Sequence, residues 1–523
     1  MSVLWHPLFL NRVYGAMARV LAGATHTARW MLDQAHGAWS RLRAEPWSVL
    51  RARLLLGFGV VAISVFWGMA TAVLENNALY LVIGLILSVF ILMNYSIGVV
   101  VLILFLPISG SKIFPHQLLG IVGLNPLNLL LMATLFSYTL RRFFGATSPR
   151  FLPRELWWLY IVPIIIAAAI GVLHIGDIPS FVTNQLDLSF DNSLGYLRDI
   201  VVRPMYSVLL ALLVAAAVVD ARRIEGFMIA GLVSLWILIL TIFIYFLASG
   251  ASLGDISEAD GASRSFFSPL GVHANAVGRL FAIAFGLLLF SASSYRGFFS
   301  KFVIWGSAVA TALATLITFS RGSYLLLLII SFLYVLSLPG RRRLQIIVLA
   351  LPVILLAIPR AVYERFLFGL GTGADLNAVS SGRTEEIWQP LIPEIFNSPL
   401  FGHGLSSILW SDAMKSGVIL VVGHPHNAFL KSLLDLGFIG TILLLVFGWR
   451  IWKRMRLLSQ EPLLDPKQRN FFAGSAAALI AFTIAGVSGS SFDPVFDQLY
   501  LWLAIGLMYG ISARLKIRQS ANG

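Results

Sequence analysis

Few side chains in this sequence can do chemistry, and those few stand in distinctive surroundings. Arg321 lies in Phe319-Ser320-Arg321-Gly322-Ser323, at the end of a run that is apolar on both sides. A cation at that depth is costly unless it faces a polar cavity or holds an anion. The small Ser320 and Gly322 beside it suit close approach of a polar ligand, and the alternative is an arginine snorkelling to the interface. Arg383, in Ser381-Gly382-Arg383-Thr384, precedes a short helical turn Thr384–Gln389 that Pro390 is expected to cut off. Ion pairing with Glu385 or Glu386 on a solvated face competes with a ligand contact there. His426, in Gly423-His424-Pro425-His426-Asn427, sits at the mouth of the next apolar run. A neutral imidazole at that place accepts a proton near pH 7, or else caps the helix. His424 and Asn427 flank it as candidate ligand contacts. Arg279, six residues after His273 and close to Asn275, is either part of an anion site or a second snorkelling arginine. Asp493 and Asp497 face the same outer cavity or lie on a solvated loop. Across Pro425 the two histidines diverge, and no HExxH pattern or convergent carboxylate set accompanies them, so no metal site is expected. Gly369-Leu370-Gly371-Thr372-Gly373 follows no strand and opens no crossover helix, which makes it a turn and not a nucleotide fingerprint. The absence of cysteine removes thiolate ligands, thiol nucleophiles and disulfides.

The elements that must hold these groups are apolar helices. Of the 523 residues 58% are hydrophobic and 12% charged, against roughly 45–50% and 25% in soluble domains. The mean hydropathy of +0.85 excludes a soluble enzyme, a disordered chain and a disulfide scaffold alike. Apolar runs occupy 54–74, 156–174, 204–219, 225–249, 275–293, 302–319, 323–338, 345–358, 427–448, 471–488 and 498–512. The stretch 79–109 is too long for one span and breaks at Met93-Asn94-Tyr95-Ser96, and a further span covers 126–140. The expected architecture is therefore all-α and polytopic, with about 14 transmembrane helices. If the N-terminus is cytoplasmic, 27 of the 38 basic residues but 7 of the 24 acidic ones fall on the inner side. That is the positive-inside pattern, with both termini cytoplasmic, and it accounts for the net charge of +14 without nucleic acid. Residues 1–53 form a basic segment in which Val13, Tyr14, Met17, Val20 and Leu21 follow helical spacing opposite Arg12 and Arg19. It is either an interfacial amphipathic helix on the membrane lipids of the inner leaflet or a loosely ordered tail. No h-region or cleavage site is seen there, so no signal peptide is expected. One large outer loop, 359–426, carries Arg360, Arg365, Arg383, His403, His424 and His426. Smaller outer loops are 175–203 and 250–274.

In this order, Ser320-Arg321-Gly322, Ser381-Gly382-Arg383 with Trp388, Pro399-Leu400-Phe401-Gly402-His403-Gly404, His426-Asn427-Ala428-Phe429-Leu430 and Leu434-Asp435-Leu436-Gly437-Phe438-Ile439-Gly440 resemble the O-antigen ligase and polysaccharide polymerase superfamily. The resemblance covers 265–445, between N-terminal helices 54–264 and C-terminal helices 446–523. It implies a GT-C-like enzyme of the bacterial inner membrane with its active site facing the periplasm. Such an enzyme needs neither metal nor cofactor. It moves a glycan from an undecaprenyl-diphosphate-linked oligosaccharide onto an acceptor glycan, either another lipid-linked repeat unit or lipid A–core. Under that implication Arg321 and Arg383 bind the diphosphate and stabilise its developing charge, and His426 removes the acceptor proton. Arg279, His424 and Asn427 make further substrate contacts. Direct attack inverts the anomeric carbon and needs no covalent nucleophile. The extra N-terminal sequence and high span count lean towards a polymerase over a ligase.

Two other classes compete. A lipid-linked oligosaccharide flippase is expected to carry helix-internal charges and repeated halves around a midplane site, whereas here the unusual groups gather at one face and the halves look dissimilar. A non-catalytic scaffold makes no demand for Arg321 or His426.

Overall fold

A computed structural model describes residues 76–109, 111, 114–118, 121–122, 124–144, 152–188, 190–221, 223–250, 266–350, 363, 377, 380, 382–489 and 491–522. The segment 1–53, the expected span 54–74, Arg360, Arg365 and Gly369–Gly373 lie outside the described residues, and the expected span 345–358 is described only to 350. Met1–Val82 and Ile83–Gly523 are two compact units, and the site belongs to the second.

An apolar segment in lipid must satisfy its backbone groups internally, and a helix does so. Helices run through every expected span that lies wholly among the described residues. They are α1 (Asn76–Met93), α2 (Tyr95–Ile108), α3 (Pro126–Phe143), α4 (Arg154–Leu173), α5 (Ser193–Asp220), α6 (Glu225–Ser249), α7 (Ala274–Ala292), α8 (Phe298–Ile317), α9 (Arg321–Ser337), α10 (Ala428–Gln460), α11 (Pro466–Ala485) and α12 (Leu499–Asn522). Among the described residues seven helices, α4 to α8, α10 and α11, are long and apolar enough to cross a membrane, and three shorter apolar ones accompany them. Among the described residues the strands are limited to Gln117–Leu118 paired antiparallel with Ile121–Val122. The protein is an all-α polytopic membrane protein. The expected break after Met93 is a single extended residue, Asn94, whose side chain accepts from Ser96 N at 3.1 Å.

Prolines interrupt less than their positions suggest. Pro390 does not end the helix at Gln389: a wide π-type turn, Thr384–Trp388, closes first, and a new helix, Gln389–Ile395, starts with Pro390 in its first turn. There the missing N–H has no intrahelical partner to lose. The same device, Leu197–Val202 followed by Pro204, lets α5 begin at Ser193 and not at 204, so the outer loop expected over 175–203 is shorter.

α7 is the centre of the bundle, packed on α8, α9 and α11. Of its most apolar stretch 72% is buried, against 28% for α8, which faces outward. α7 meets α11 at Gly474, where a Cβ would stand 2.6 Å from the Gly286 carbonyl. Small residues allow that approach, as membrane helix contacts require. Large apolar side chains such as Leu85, Phe136, Ile244 and Phe332 remain exposed, a surface suited to lipid.

The break that matters most lies inside α10. Gly437 takes φ +65° and ψ −171°, freeing the carbonyls before it and the amides after it. The segment Pro399–Gly404 collects them. His403 N donates to Leu434 O (2.7 Å), Gly404 N to Asp435 O (3.1 Å), Phe438 N to Pro399 O (2.7 Å) and Ile439 N to Leu400 O (3.2 Å). Buried backbone groups are thereby paired, as they must be. Gly402 fits because a Cβ there would come within 2.5 Å of the Asp435 carbonyl carbon.

Candidate functional site

Each candidate side chain is placed by a helix start. Ser320 caps α9, its hydroxyl accepting from Ser323 N at 3.4 Å, and the preceding Phe319 turns the chain with φ +49°. Arg321 is thus the first residue of α9, and Ser323 Oγ ties that start to α7 through Asn275 O at 3.4 Å. Asn427 caps α10, its side-chain oxygen accepting from Phe429 N (3.0 Å) and Leu430 N (3.2 Å). The capping role open to His426 therefore belongs to Asn427. His273 caps α7 by accepting from Asn275 N, and Asn125 caps α3 by accepting from Asn128 N at 2.9 Å.

The starts of α3, α7 and α10 surround one cavity of about 990 Å³. Its walls include Asn125 and Asn128 from α3, Arg198, Asp199, Arg203 and Tyr206 from α5, and His273 and Arg279 from α7. His424, His426 and Lys431 from the entry to α10, and Gly489, Ser491, Asp493 and Asp497 before α12, complete it. Helix N-termini carry partial positive charge, so the N-termini of α3, α7 and α10 bias this space towards anions.

The cations of the cavity are already braced by carboxylates. Arg198 and Arg203 each reach Asp199 at 2.9 Å. Arg279, 12% exposed, pairs with the buried Asp497 and donates to Gly489 O, so it is not a snorkelling side chain. Asp493 and Asp497 are accordingly not on a solvated loop: they are held in ion pairs on the wall of the cavity.

Around the turn Gly486–Gly489 the expected residues converge. Arg383 Nη1 donates to Ser488 O at 3.5 Å. Gly322, next to Arg321, lies so near that a Cβ on it would come 2.9 Å from Ser488 Oγ. A Cβ on Gly489 would stand 3.2 Å from His426 O. Arg383 and Gly322, the neighbour of Arg321, thus abut the turn whose last residue borders the cavity, while Arg279, His424 and His426 border the cavity directly. Asn427 serves as the cap below them.

The loop bearing the histidines is held in shape. Trp388 Nε1 donates to Pro425 O at 2.8 Å, and His426 adopts φ +57°, a left-handed conformation costly for a side chain of that size. His426 N donates to His424 Nδ1 at 3.2 Å, and the two rings lie 4.1 Å apart. With Nδ1 accepting, the neutral His424 carries its proton on Nε2 and presents a donor. Although its ring is open to the cavity, enclosure pushes its pKa well below the ordinary value, and the charges of Arg279, Lys431 and Arg383 push it the same way. The lowered pKa favours the neutral ring, which has an Nε2–H to donate. His424→Gln is therefore expected to weaken substrate binding several-fold while leaving the shape of the pH–rate profile between pH 5 and 8 unchanged, by roughly the worth of one hydrogen bond. A rate profile recorded on both forms checks it.

One group escaped the reading of the residues alone. Lys431 lies in α10 with its Nζ 2.8 Å from Asp435 and 3.0 Å from Asp493. The signal was present: Lys431 and Asp435 are an i,i+4 charge pair inside the otherwise apolar run 427–448, which marks function or a structural lock. Among the described residues no group of three His, Cys, Asp or Glu side chains is placed to hold a metal ion.

Comparison with known proteins locates the same region. Residues 306–445 match the family model described as O-antigen ligase. A Rickettsia conorii protein carrying the provisional description polysaccharide ligase is 27% identical over 140 residues, which span 25% of this chain and 31% of that relative. The matched segment supplies Arg321, Arg383, the Pro399–Gly404 interlock, His424, His426 and Lys431. Arg198, Arg203, Arg279 and Asp493 come from outside it.

Proposed function

We propose that the protein, whose residues 306–445 match the O-antigen ligase family model, is a metal-independent membrane glycosyltransferase of GT-C-like architecture. It takes a glycan from an undecaprenyl-diphosphate carrier at the periplasmic face of the inner membrane and extends O-antigen or exopolysaccharide repeat units. The observation that carries this reading is the convergence of three helix N-termini, Arg279, Lys431, His424 and His426 on one cavity, with Arg383 on the turn that borders it and Arg321 next to Gly322, which packs against that turn. In the reaction the acceptor hydroxyl oxygen attacks the anomeric carbon, the bond from that carbon to the diphosphate oxygen breaks, and the hydroxyl proton passes to His426. The configuration inverts. The leaving diphosphate gains charge, which the guanidiniums of Arg321 and Arg383 offset through paired hydrogen bonds. His424 contributes its Nε2–H to a phosphate or glycan oxygen, and Arg279 shapes the same wall while held by Asp497.

A second reading, attachment of the glycan to lipid A–core, is favoured by the descriptions of the family and of the Rickettsia relative. Purified protein in proteoliposomes, supplied with lipid-diphosphate-linked repeat units alone, separates the two. Chain elongation supports the polymerase, transfer only after lipid A–core is added supports the ligase, and translocation of the lipid-linked glycan without transfer overturns both in favour of a flippase.

A further inference from the structure

A lysine inside an apolar helix is expensive to bury, and Lys431 is buried to 11% exposure. Its surroundings make up for that cost in an informative way. The ammonium bridges Asp435 Oδ2 at 2.8 Å and both oxygens of Asp493 at 3.0 and 3.1 Å. Asp435 in turn accepts from Ser406 N (3.1 Å), Ser407 N (3.0 Å) and Ser407 Oγ (2.7 Å). It thereby fixes the chain just after the Pro399–Gly404 interlock. Asp493 accepts from Ser491 Oγ, and Gln498 Nε2 donates to Ser491 O and Asp493 O at 2.6 and 2.9 Å. This holds the segment that follows the Gly486–Gly489 turn, on whose carbonyls Arg383 and Arg279 lean. Lys431 is also a wall of the cavity, so the bridge and the reacting space are contiguous.

We infer that Lys431 is a positioning residue for glycan transfer: its two-carboxylate bridge locks the broken helix α10, which carries His426 at its mouth, to the 486–493 segment that receives Arg383 and Arg279. The base and the arginines belong to different segments of the chain, and reaction demands that they keep one mutual geometry. A fixed charge between two carboxylates sets that geometry more narrowly than apolar packing does. The inference rests on the glycan-transfer reading. It goes beyond that reading by assigning the alignment of base and anion site to a residue that touches neither reacting bond.

The test uses full-length protein in proteoliposomes with lipid-diphosphate-linked glycan as donor, comparing wild type with Lys431→Met, Lys431→Arg and Asp493→Asn. The expected result is a fall in kcat of about tenfold to a hundredfold in Lys431→Met, the scale of a small misplacement of reacting groups, with KM for the donor changed far less. Lys431→Arg, which keeps charge and can span both carboxylates, recovers most of the rate. Asp493→Asn, which leaves Asp435 on the lysine, falls between. Each variant is checked for wild-type melting behaviour in detergent, and Lys431→Met unable to fold leaves the decision to the other two. A wild-type kcat in Lys431→Met or Asp493→Asn overturns the assignment, as does a loss seen only in KM or only in melting temperature. Absence of transfer by the wild-type protein itself overturns the glycan-transfer reading instead, so the two failures are distinct.

Discussion

His426→Ala lowers the rate of glycan transfer by about 10²- to 10⁴-fold, the range for loss of a positioned general base. The protein still accumulates in the membrane and melts as the wild type does. The expectation follows from where the ring sits and from what holds it. His426 borders the cavity, its backbone is kept at φ +57°, and its neighbours are tied down by Trp388 and His424. A left-handed residue with a Cβ costs about 1–3 kcal/mol and persists only where the surroundings impose it. Removing the imidazole leaves the cap by Asn427 and the interlock at Gly437 intact, so the fold has no reason to fail. The His424 ring, 4.1 Å away, cannot substitute, since its Nδ1 is occupied by His426 N and its proton lies on Nε2. Initial rates of lipid-carrier release, measured beside melting curves, separate loss of chemistry from loss of fold. An undiminished rate in His426→Ala removes it from the reaction. Arg321→Lys provides a companion measurement: a point charge in place of a planar fork is expected to restore little of what Arg321→Ala loses, because the proposed role of Arg321 is to grip the diphosphate in two parallel hydrogen bonds.

How much of this was written in the sequence depends on what kind of physics each feature uses. Hydropathy located the helices, since lipid enforces one backbone solution on an apolar run, and Asn94 marked a break because a lone amide amid apolar residues suits a cap and not a helix interior. The boundaries at Pro204 and Pro390 were misjudged for one shared reason. A wide turn placed just before a proline lets a helix restart there, and nothing in the composition announces a wide turn. Arg321, Arg383 and His426 were legible as chemistry, but their partners were not. That Arg383 reaches Ser488, or that Arg279 pairs with Asp497, joins residues 105 and 218 positions apart, and periodicity has no access to such distances. The motifs around Gly402 and Gly437 were legible only as a resemblance. The fold supplies their physical content: each lacks a Cβ because the backbone of the other occupies that space. For Asp493 and Asp497 the residues alone left cavity and solvated loop both open. A carboxylate beside proline in a short connection usually faces water, and only the tertiary approach of Lys431 and Arg279 makes burial tolerable.

That dependence of a buried charge on its partners sets the largest effect on stability. Asp435 is 2% exposed and accepts hydrogen bonds from two backbone amides, one hydroxyl and the ammonium of Lys431. Asp435→Ala leaves the amides of the buried Ser406 and Ser407 without their carboxylate, each at about 1–3 kcal/mol. It also strips Lys431 of half its bridge, and breaking a buried ion pair costs about 3–5 kcal/mol. The contributions share one network and do not add fully, yet any two of them approach the whole stability of an ordinary domain, about 5–15 kcal/mol. The expected outcome is loss of folded protein from the membrane, seen as collapse of the monodisperse peak in detergent. Asp435→Asn keeps the volume and one acceptor, so it folds with a lowered melting temperature. The double change Asp435→Asn with Lys431→Met is expected to be less stable than Asp435→Asn alone, because it also takes from Asp493 the ammonium that pairs with it in the single variant. If Asp435→Ala instead folds and melts within about a degree of wild type, where a 1 kcal/mol change moves a 150–250-residue domain by about 2–4 °C, the carboxylate is not the lock of the broken helix. The interlock of Pro399–Gly404 with Leu434–Ile439 then stands on its backbone hydrogen bonds alone.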